Sequence, residues 1–452
     1  MKKVLIANRG EIACRVIRAC RSLGLECVAV HSEADAGSLH VSLADEAHLL
    51  GPAKAAESYL KVDRILEAAK ESGADAIHPG YGFLAENADF ARAVEAAGLT
   101  WVGPSPDTIV DMGDKERARL LAKAAGVPIL PGSARFAEGE VGGLAEAGEA
   151  VGYPLLVKAS AGGGGIGMRL VENPDDLEKV VTATQGMAGR AFGDGAVFLE
   201  RYVRRARHVE IQVFGLGDGR AVHFFERECS IQRRFQKIIE ESPAPGLPEE
   251  TRQAMGKAAV DLAAQERYRG AGTVEFVVDG ESGEFFFLEM NTRIQVEHPV
   301  SEMITGADLV ALQLRLAAGA ELDLSQEAIQ RQGHAIECRL YAENPAKMFL
   351  PQPGPLERLV FPEESEGVRI ETGVRQGDKI TAYYDPMIAK VVCHGVDRDA
   401  AIARSLQTLK AIELEGIVTN LAFLIRTLDH PAFRAGESFT GFVDAHKAEL
   451  IG

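Results

Sequence analysis

The sequence predicts an α/β protein in three parts: an N-terminal doubly wound parallel sheet, a central unit with a small β-rich lid, and a C-terminal mixed α+β block. Three observations predict it. Apolar runs and amphipathic helical runs alternate from residue 1 to about 110, the pattern of βαβ units. A glycine run at 162–165 stands between two strand-like runs rather than before a helix. Two further strand-like runs are joined by Gly280-Glu281-Ser282-Gly283, a good hairpin connection.

The elements follow in order. KVLIAN (3–8) is apolar almost throughout and reads as a buried strand. EIACRVIRACRSLG (11–24) is amphipathic and stops at a glycine. CVAVHS (27–32) is the next strand, VDRILEAAKESG (62–73) the next helix and DAIHPG (75–80) the third strand. A later helix ends at Gly98, before TWVG (100–103). The turn Asn8-Arg9-Gly10-Glu11 sits at the carboxyl end of the first strand, where such sheets bind ligands. Pro104, Pro106, Pro128 and Pro131 punctuate the exit, with one helix, GDKERARLLAKAAG (113–126), between them. Residues 153–204 form the small unit: YPLLVKAS, the glycine run, MRLV, a helix from Asp175, then VFLERYV. HVEIQVF, AVHFFERE and the hairpin occupy 207–320, and HAIECRLYAENP (334–345) opens the last block.

Composition narrows the function. With 46% hydrophobic and 25% charged residues the 452-residue chain has ample core material. A net charge of -17 argues against nucleic acid or an anionic membrane as the main partner, though a local basic cluster can still hold an anionic small ligand. The six cysteines show no CxxC and no metal-ligand spacing, which fits reduced packing residues in a cytoplasmic protein. The start, MKKVLIANRGE, has too short an apolar run for a signal peptide, and no membrane span is predicted.

The chemistry concentrates in FFFLEMNTRIQVEH (285–298). Glu289 and Asn291 share a face at period two. If the hairpin centres near Ser282, Glu275 of TVEFVVD (273–279) faces Glu289, and two facing carboxylates repel unless a cation lies between them. Oxygen-only ligands point to Mg2+ or Mn2+, with phosphate oxygens completing the shell. The glycine run lacks the following helix of a dinucleotide fold and the GK[ST] of a P-loop. It reads instead as a hairpin whose amides can close over phosphates, with Lys158 supplying a point charge. Together these make a nucleoside-triphosphate site. The run RECSIQRRFQKIIEESPAP adds Arg233, Arg234 and Lys237, and Arg207 and His208 lie on another strand.

These residues resemble one family closely, the biotin carboxylases. The likeness runs in order through IANRGEIACRVIRAC (6–20), HPGYGFLAEN (78–87), GDK (113–115), KASAGGGGIGM (158–168), RHVEIQV (207–213), QRRFQKIIEESPAP (232–245), EMNTRIQVEHPVSE (289–302), GHAIECRLYAENP (333–345) and YYDPMIAK (383–390). The resemblance implies a pre-ATP-grasp domain over 1–114, an ATP-grasp domain over 115–330 with its lid at about 131–203, and a C-terminal domain over 331–452. It implies a ligase that carboxylates biotin with ATP and bicarbonate. Lys115 and Lys158 would hold ATP phosphates, the Gly164-Gly165 backbone would act as lid, and Glu200 and Val203 would meet the adenine. His208, Gln232 and Lys237 would lie around the phosphates and bicarbonate. Glu275 and Glu289, with Asn291, would hold Mg2+ or Mn2+. Arg293, Gln295 and the Val296 backbone would bind bicarbonate, and Glu297 would be the base. Arg339 would stabilise deprotonated biotin, with Tyr81 near the biotin ring.

Two departures stand out: Ile166 where many members have Arg, and Phe235 where many have His or Asn. No Ala-Met-Lys-Met string is present, so a separate biotin carboxyl carrier protein and separate carboxyltransferase subunits are expected partners, as is a homodimer. The rival readings are another ATP-grasp carboxylate or bicarbonate ligase, and a nucleotide-binding regulatory subunit that has lost catalysis.

Overall fold

The computed structural model describes residues 1–160 and 167–451. The N-terminal sheet is parallel and five-stranded, in the order Glu46–Gly51, Glu26–Ser32, Lys3–Ile6, Ala76–His78, Thr100–Trp101. Its central strand is covered on both faces, so Val4, Leu5 and Ile6 are all fully buried. Helix Gly10–Ser22 packs Ile12, Ala13, Val16 and Ile17 into one of the two flanking cores. The tight turn from strand to helix uses a left-handed Gly10, φ +64°.

The helix predicted over 113–126 forms over Lys115–Ala124, and a further helix that was not predicted, Pro106–Gly113, runs directly into it. They break at Asp114, whose extended backbone (φ -86°, ψ 114°) leaves its carboxylate free to accept from the Arg117 amide. An N-cap aspartate thus starts the predicted helix directly after the preceding one ends.

The small unit is a three-stranded antiparallel sheet with Leu155–Ala159 between Met168–Val171 and Val197–Arg201. Helices Leu144–Val151 and Leu177–Phe192 cover it, closing a core around Leu155, Val157, Val181 and Leu199.

An eight-stranded sheet carries the chemistry. Its order is Phe285–Asn291, Arg269–Asp279, Ala206–Leu216, Ala221–Arg233, Gln236–Ser242, His334–Tyr341, Met387–Gly395, Val368–Thr372. The sheet is continuous from the central unit into the C-terminal block, because Gln236–Ser242 pairs with His334–Tyr341. The hairpin register is the predicted one, with Glu275 opposite Glu289. A bulge follows Glu275, re-aiming side chains at the site. At the turn between Ala221–Arg233 and Gln236–Ser242, Arg234 and Phe235 both take left-handed φ, 50° and 64°.

Candidate active site

Three neighbouring strands aim charge at one point. In HVEIQVF the period of two puts His208, Glu210 and Gln212 on one face. Lys237, from the next hairpin, reaches them: its Nζ donates to Glu210 Oε2 at 2.5 Å, Glu275 Oε1 at 2.8 Å and Glu297 Oε1 at 2.7 Å. An ammonium has three donors, and here each meets a different buried carboxylate. Two further cations balance the excess negative charge. Fully buried Arg227 bonds Glu210 Oε1 and Gln212 Oε1 at 2.6 Å each, Ser301 Oγ at 3.0 Å and Thr273 Oγ1 at 3.1 Å. Arg339 donates to Glu297 Oε2 at 2.9 Å and lies 2.5 Å from Glu240 Oε1.

The electrostatics follow from these contacts. Burial alone would raise the Glu297 carboxyl, but Lys237, Arg339 and Arg227 outweigh it and hold the group well below the usual carboxylate range. Burial raises Glu240 to about 7, with Arg339 opposing. Burial would lower His208, yet Glu275, 2.9 Å from its Nε2, turns the shift upward. Gln232 contacts the other ring nitrogen, Nδ1, at 3.0 Å.

Glu289 has no hydrogen-bond or ion-pair partner among the described residues, and its carboxyl is raised by burial and by facing Glu275. A cation between the two would remove that repulsion. Glu275 accepts from Lys237, from Asn291 Nδ2 at 2.9 Å and from Gln295 Nε2 at 3.1 Å. Asn291 turns its nitrogen to Glu275 and its Oδ1 to Arg293, and an amide flip presents the oxygen instead. Two carboxylates and an amide oxygen suit Mg2+ or Mn2+, so the residues fit the ion.

Arg293 is held by Glu86 (Nε to Oε2, 2.8 Å), Gln295 Oε1 (2.9 Å) and Asn291 Oδ1 (2.9 Å). The Tyr81 hydroxyl donates to Glu11 Oε2 at 2.5 Å. These groups wall a cleft of about 1320 Å³ that runs from Asn8 and Tyr81 past His208 and Glu275 to Arg339. The size is that of a large ligand site with more than one occupant.

Four predicted residues stand apart from that wall. Lys158 bonds Glu200 Oε2 at 2.6 Å, and Arg119 bonds Glu200 Oε1 at 2.9 Å, so both expected nucleotide contacts are tied to each other. Val203 packs with Leu130 and Phe286. Lys115 opens its helix, close enough for its charge to lower Glu289. Gly164, Gly165 and Ile166 lie outside the described residues. Phe235, one of the two departures from the family pattern, is 78% exposed at its turn, on the rim of the cleft.

Sequence reasoning missed Glu210, Arg227, Glu240 and Glu86. Glu210 was within reach, since period two from His208 puts it on the same face. Glu86, Arg227 and Glu240 gave no local signal, because their partners lie far along the chain.

Three family profiles match in series: "Biotin carboxylase, N-terminal domain" over 1–109, "Carbamoyl-phosphate synthase L chain, ATP binding domain" over 114–325, and "Biotin carboxylase C-terminal domain" over 337–445. Biotin carboxylase 1 of Bacillus subtilis is 51% identical over 446 residues, covering 99% of both chains. The mitochondrial methylcrotonoyl-CoA carboxylase subunit alpha of Dictyostelium discoideum is 51% identical over 449 residues, 99% of this chain. This chain spans 64% of that subunit's length. Among solved structures, the biotin carboxylase domain dimer of Hydrogenobacter thermophilus 2-oxoglutarate carboxylase, in complex with MgADP, ADP and bicarbonate, superposes with TM-score 0.89 at 45% identity, covering 99% of this chain and 98% of that one.

Proposed function

The chain belongs to the biotin carboxylase family, and on that premise we propose that it uses ATP and bicarbonate to carboxylate biotin borne on a separate carrier protein, the first half-reaction of a biotin-dependent carboxylase. The observation that carries the reading is Glu297, a fully buried carboxylate between Lys237 and Arg339 at the wall of the cleft. Bicarbonate is a poor nucleophile and needs a base beside cationic holders.

The ion pairs suggest how the base is readied. In the free enzyme Lys237 and Arg339 keep Glu297 ionised but weakly basic. Lys237 turns toward phosphate oxygens and Arg339 toward the biotin ureido oxygen, and each loses part of its hold on Glu297. Its proton affinity then rises as the substrates arrive. Glu297 takes the bicarbonate proton, and the bicarbonate oxygen attacks the γ-phosphorus, giving carboxyphosphate and ADP. Arg293 and Gln295 orient the anion. Carboxyphosphate breaks to CO2 and phosphate, the phosphate takes the ureido N–H proton, and the ureido nitrogen attacks CO2. Arg339, permanently charged, stabilises the ureido anion, the conjugate base of a very weak acid. Mg2+ or Mn2+ on Glu275, Glu289 and Asn291, when bound, neutralises charge on the transferring phosphate. Lys115, Lys158, Glu200 and Val203 form the nucleotide side, the Gly164-Gly165 run is assigned from the family resemblance to close over it, and Lys158 must leave Glu200 to meet a phosphate.

We assign the pre-ATP-grasp, ATP-grasp and C-terminal parts to 1–114, 115–330 and 331–452. The partners are a biotin carboxyl carrier protein, carboxyltransferase subunits and a second copy of the chain. Six free, buried cysteines support a reducing, cytoplasmic setting. Among the described residues no helix is long and apolar enough to cross a membrane.

The test is ADP release by the purified chain with ATP, Mg2+ and bicarbonate, with and without free biotin. Release that needs bicarbonate and rises with biotin supports the reading. Release indifferent to biotin points to another ATP-grasp ligase, and no release to a subunit without catalysis.

A further inference from the structure

Lys390 is fully buried under the site, on strand Met387–Gly395 opposite Arg339. Its Nζ donates to the Val296 carbonyl at 2.9 Å and lies 3.0 Å from Glu11 Oε1. One ammonium thus joins three segments distant in sequence: helix Gly10–Ser22, the loop before helix His298–Thr305, and a C-terminal strand. A buried lysine is costly unless paired and hydrogen-bonded, and here it is both.

The bond falls at a sensitive place. Val296 stands between Gln295, whose Nε2 reaches Glu275 at 3.1 Å, and Glu297, whose Oε1 meets Lys237 at 2.7 Å. Holding the Val296 carbonyl fixes the plane of the Val296–Glu297 peptide. That plane sets the direction in which Glu297 leaves the main chain. The flanking side chains are anchored on other elements, so the carbonyl bond determines how the loop runs between them.

We infer that Lys390 is a positioning residue: by holding the Val296 carbonyl against the counter-charge of Glu11, it sets the geometry of Gln295, Val296 and Glu297 toward bicarbonate. Lys390 acts only through the loop. The inference rests on the reading above that this loop receives bicarbonate.

The experiment is steady-state ATP cleavage by the full chain, with bicarbonate and ATP varied separately. Lys390→Met keeps the length and volume and removes the donor. Its KM for bicarbonate should rise by about tenfold or more while its KM for ATP stays within about twofold. Glu11→Gln leaves the lysine in place and removes its counter-charge, so bicarbonate KM should rise in the same direction by a smaller factor. A fall in kcat with both KM values unchanged means only less folded enzyme and overturns the inference, as does an equal rise in both. If Lys390→Met does not fold, Glu11→Gln decides alone, and an unchanged bicarbonate KM overturns the inference. Wild-type cleavage indifferent to bicarbonate defeats the functional reading itself, and the inference with it. Wild-type dependence with unaltered variants defeats the inference alone.

Discussion

Glu297 accepts a hydrogen bond from Arg339 at 2.9 Å, so the proposed base and the cation proposed for biotin form one ion pair. Replacing either therefore disturbs the other. Glu297→Gln and Arg339→Ala should each lower kcat/KM for biotin carboxylation by about a hundredfold or more. The double variant should depart from the sum of the singles by about 1–3 kcal/mol. Strict additivity in this cycle would mean that the two act independently.

Glu289→Gln should lose most ATP cleavage, because the oxygen cage of the metal loses a charge. The metal-free protein should hold its stability or gain slightly, since the substitution removes repulsion with Glu275. Denaturant unfolding in chelator and activity at saturating Mg2+ check the two halves. Wild-type activity from the variant would sink the metal assignment.

Glu241 gives a pH prediction away from the site. Burial would raise its carboxyl, but His334 at 2.7 Å and the two-pronged Arg398 contact at 2.6 and 3.0 Å outweigh that and hold it at about 2. Its folded value lies below its unfolded one of 4.5, so its stabilisation is complete above about pH 4.5 and fades as pH falls toward 2. The depression corresponds to about 3 kcal/mol. Glu241→Gln should remove about that much at pH 7 and flatten the stability profile between pH 5 and 3. Parallel profiles for variant and wild type would refute it.

Arg227→Leu should cost about 3–5 kcal/mol, because Glu210 stays buried with its second cation gone. Adding Glu210→Gln should recover part of that loss, as the orphaned charge is then removed. Thermal unfolding of the two variants measures both effects, and a double variant no more stable than Arg227→Leu counts against the account.

The sequence made some of this legible and hid the rest for physical reasons. The facing of Glu275 and Glu289 could be read because a strand period and a four-residue turn fix a hairpin register locally. The alternation of the first hundred residues likewise shows its parallel sheet. The helix Pro106–Gly113 escaped the reading because it is short and ends directly at the N-cap Asp114 of the predicted helix, with no loop between them. The ion pairing of Lys158 with Glu200, and of Lys390 with Glu11, joins segments whose proximity only the folded chain creates. Phe235 differs from the family pattern only in its residue type; that its ring stands largely exposed follows from a turn conformation that the sequence alone does not show.

The unbroken ladder from the central unit into the C-terminal block bears on biosynthesis. Strand Gln236–Ser242, carrying buried Ile238 and Ile239, has no partner on one side until His334–Tyr341 has been made, about a hundred residues later. Until then the nascent chain offers an apolar edge that any other extended segment can extend. A fragment cut at residue 330 would keep that edge permanently, and self-association rather than a clean monomer is its natural fate. The small lid pairs its strands only among residues 155–201, so its removal would leave the eight-stranded ladder intact.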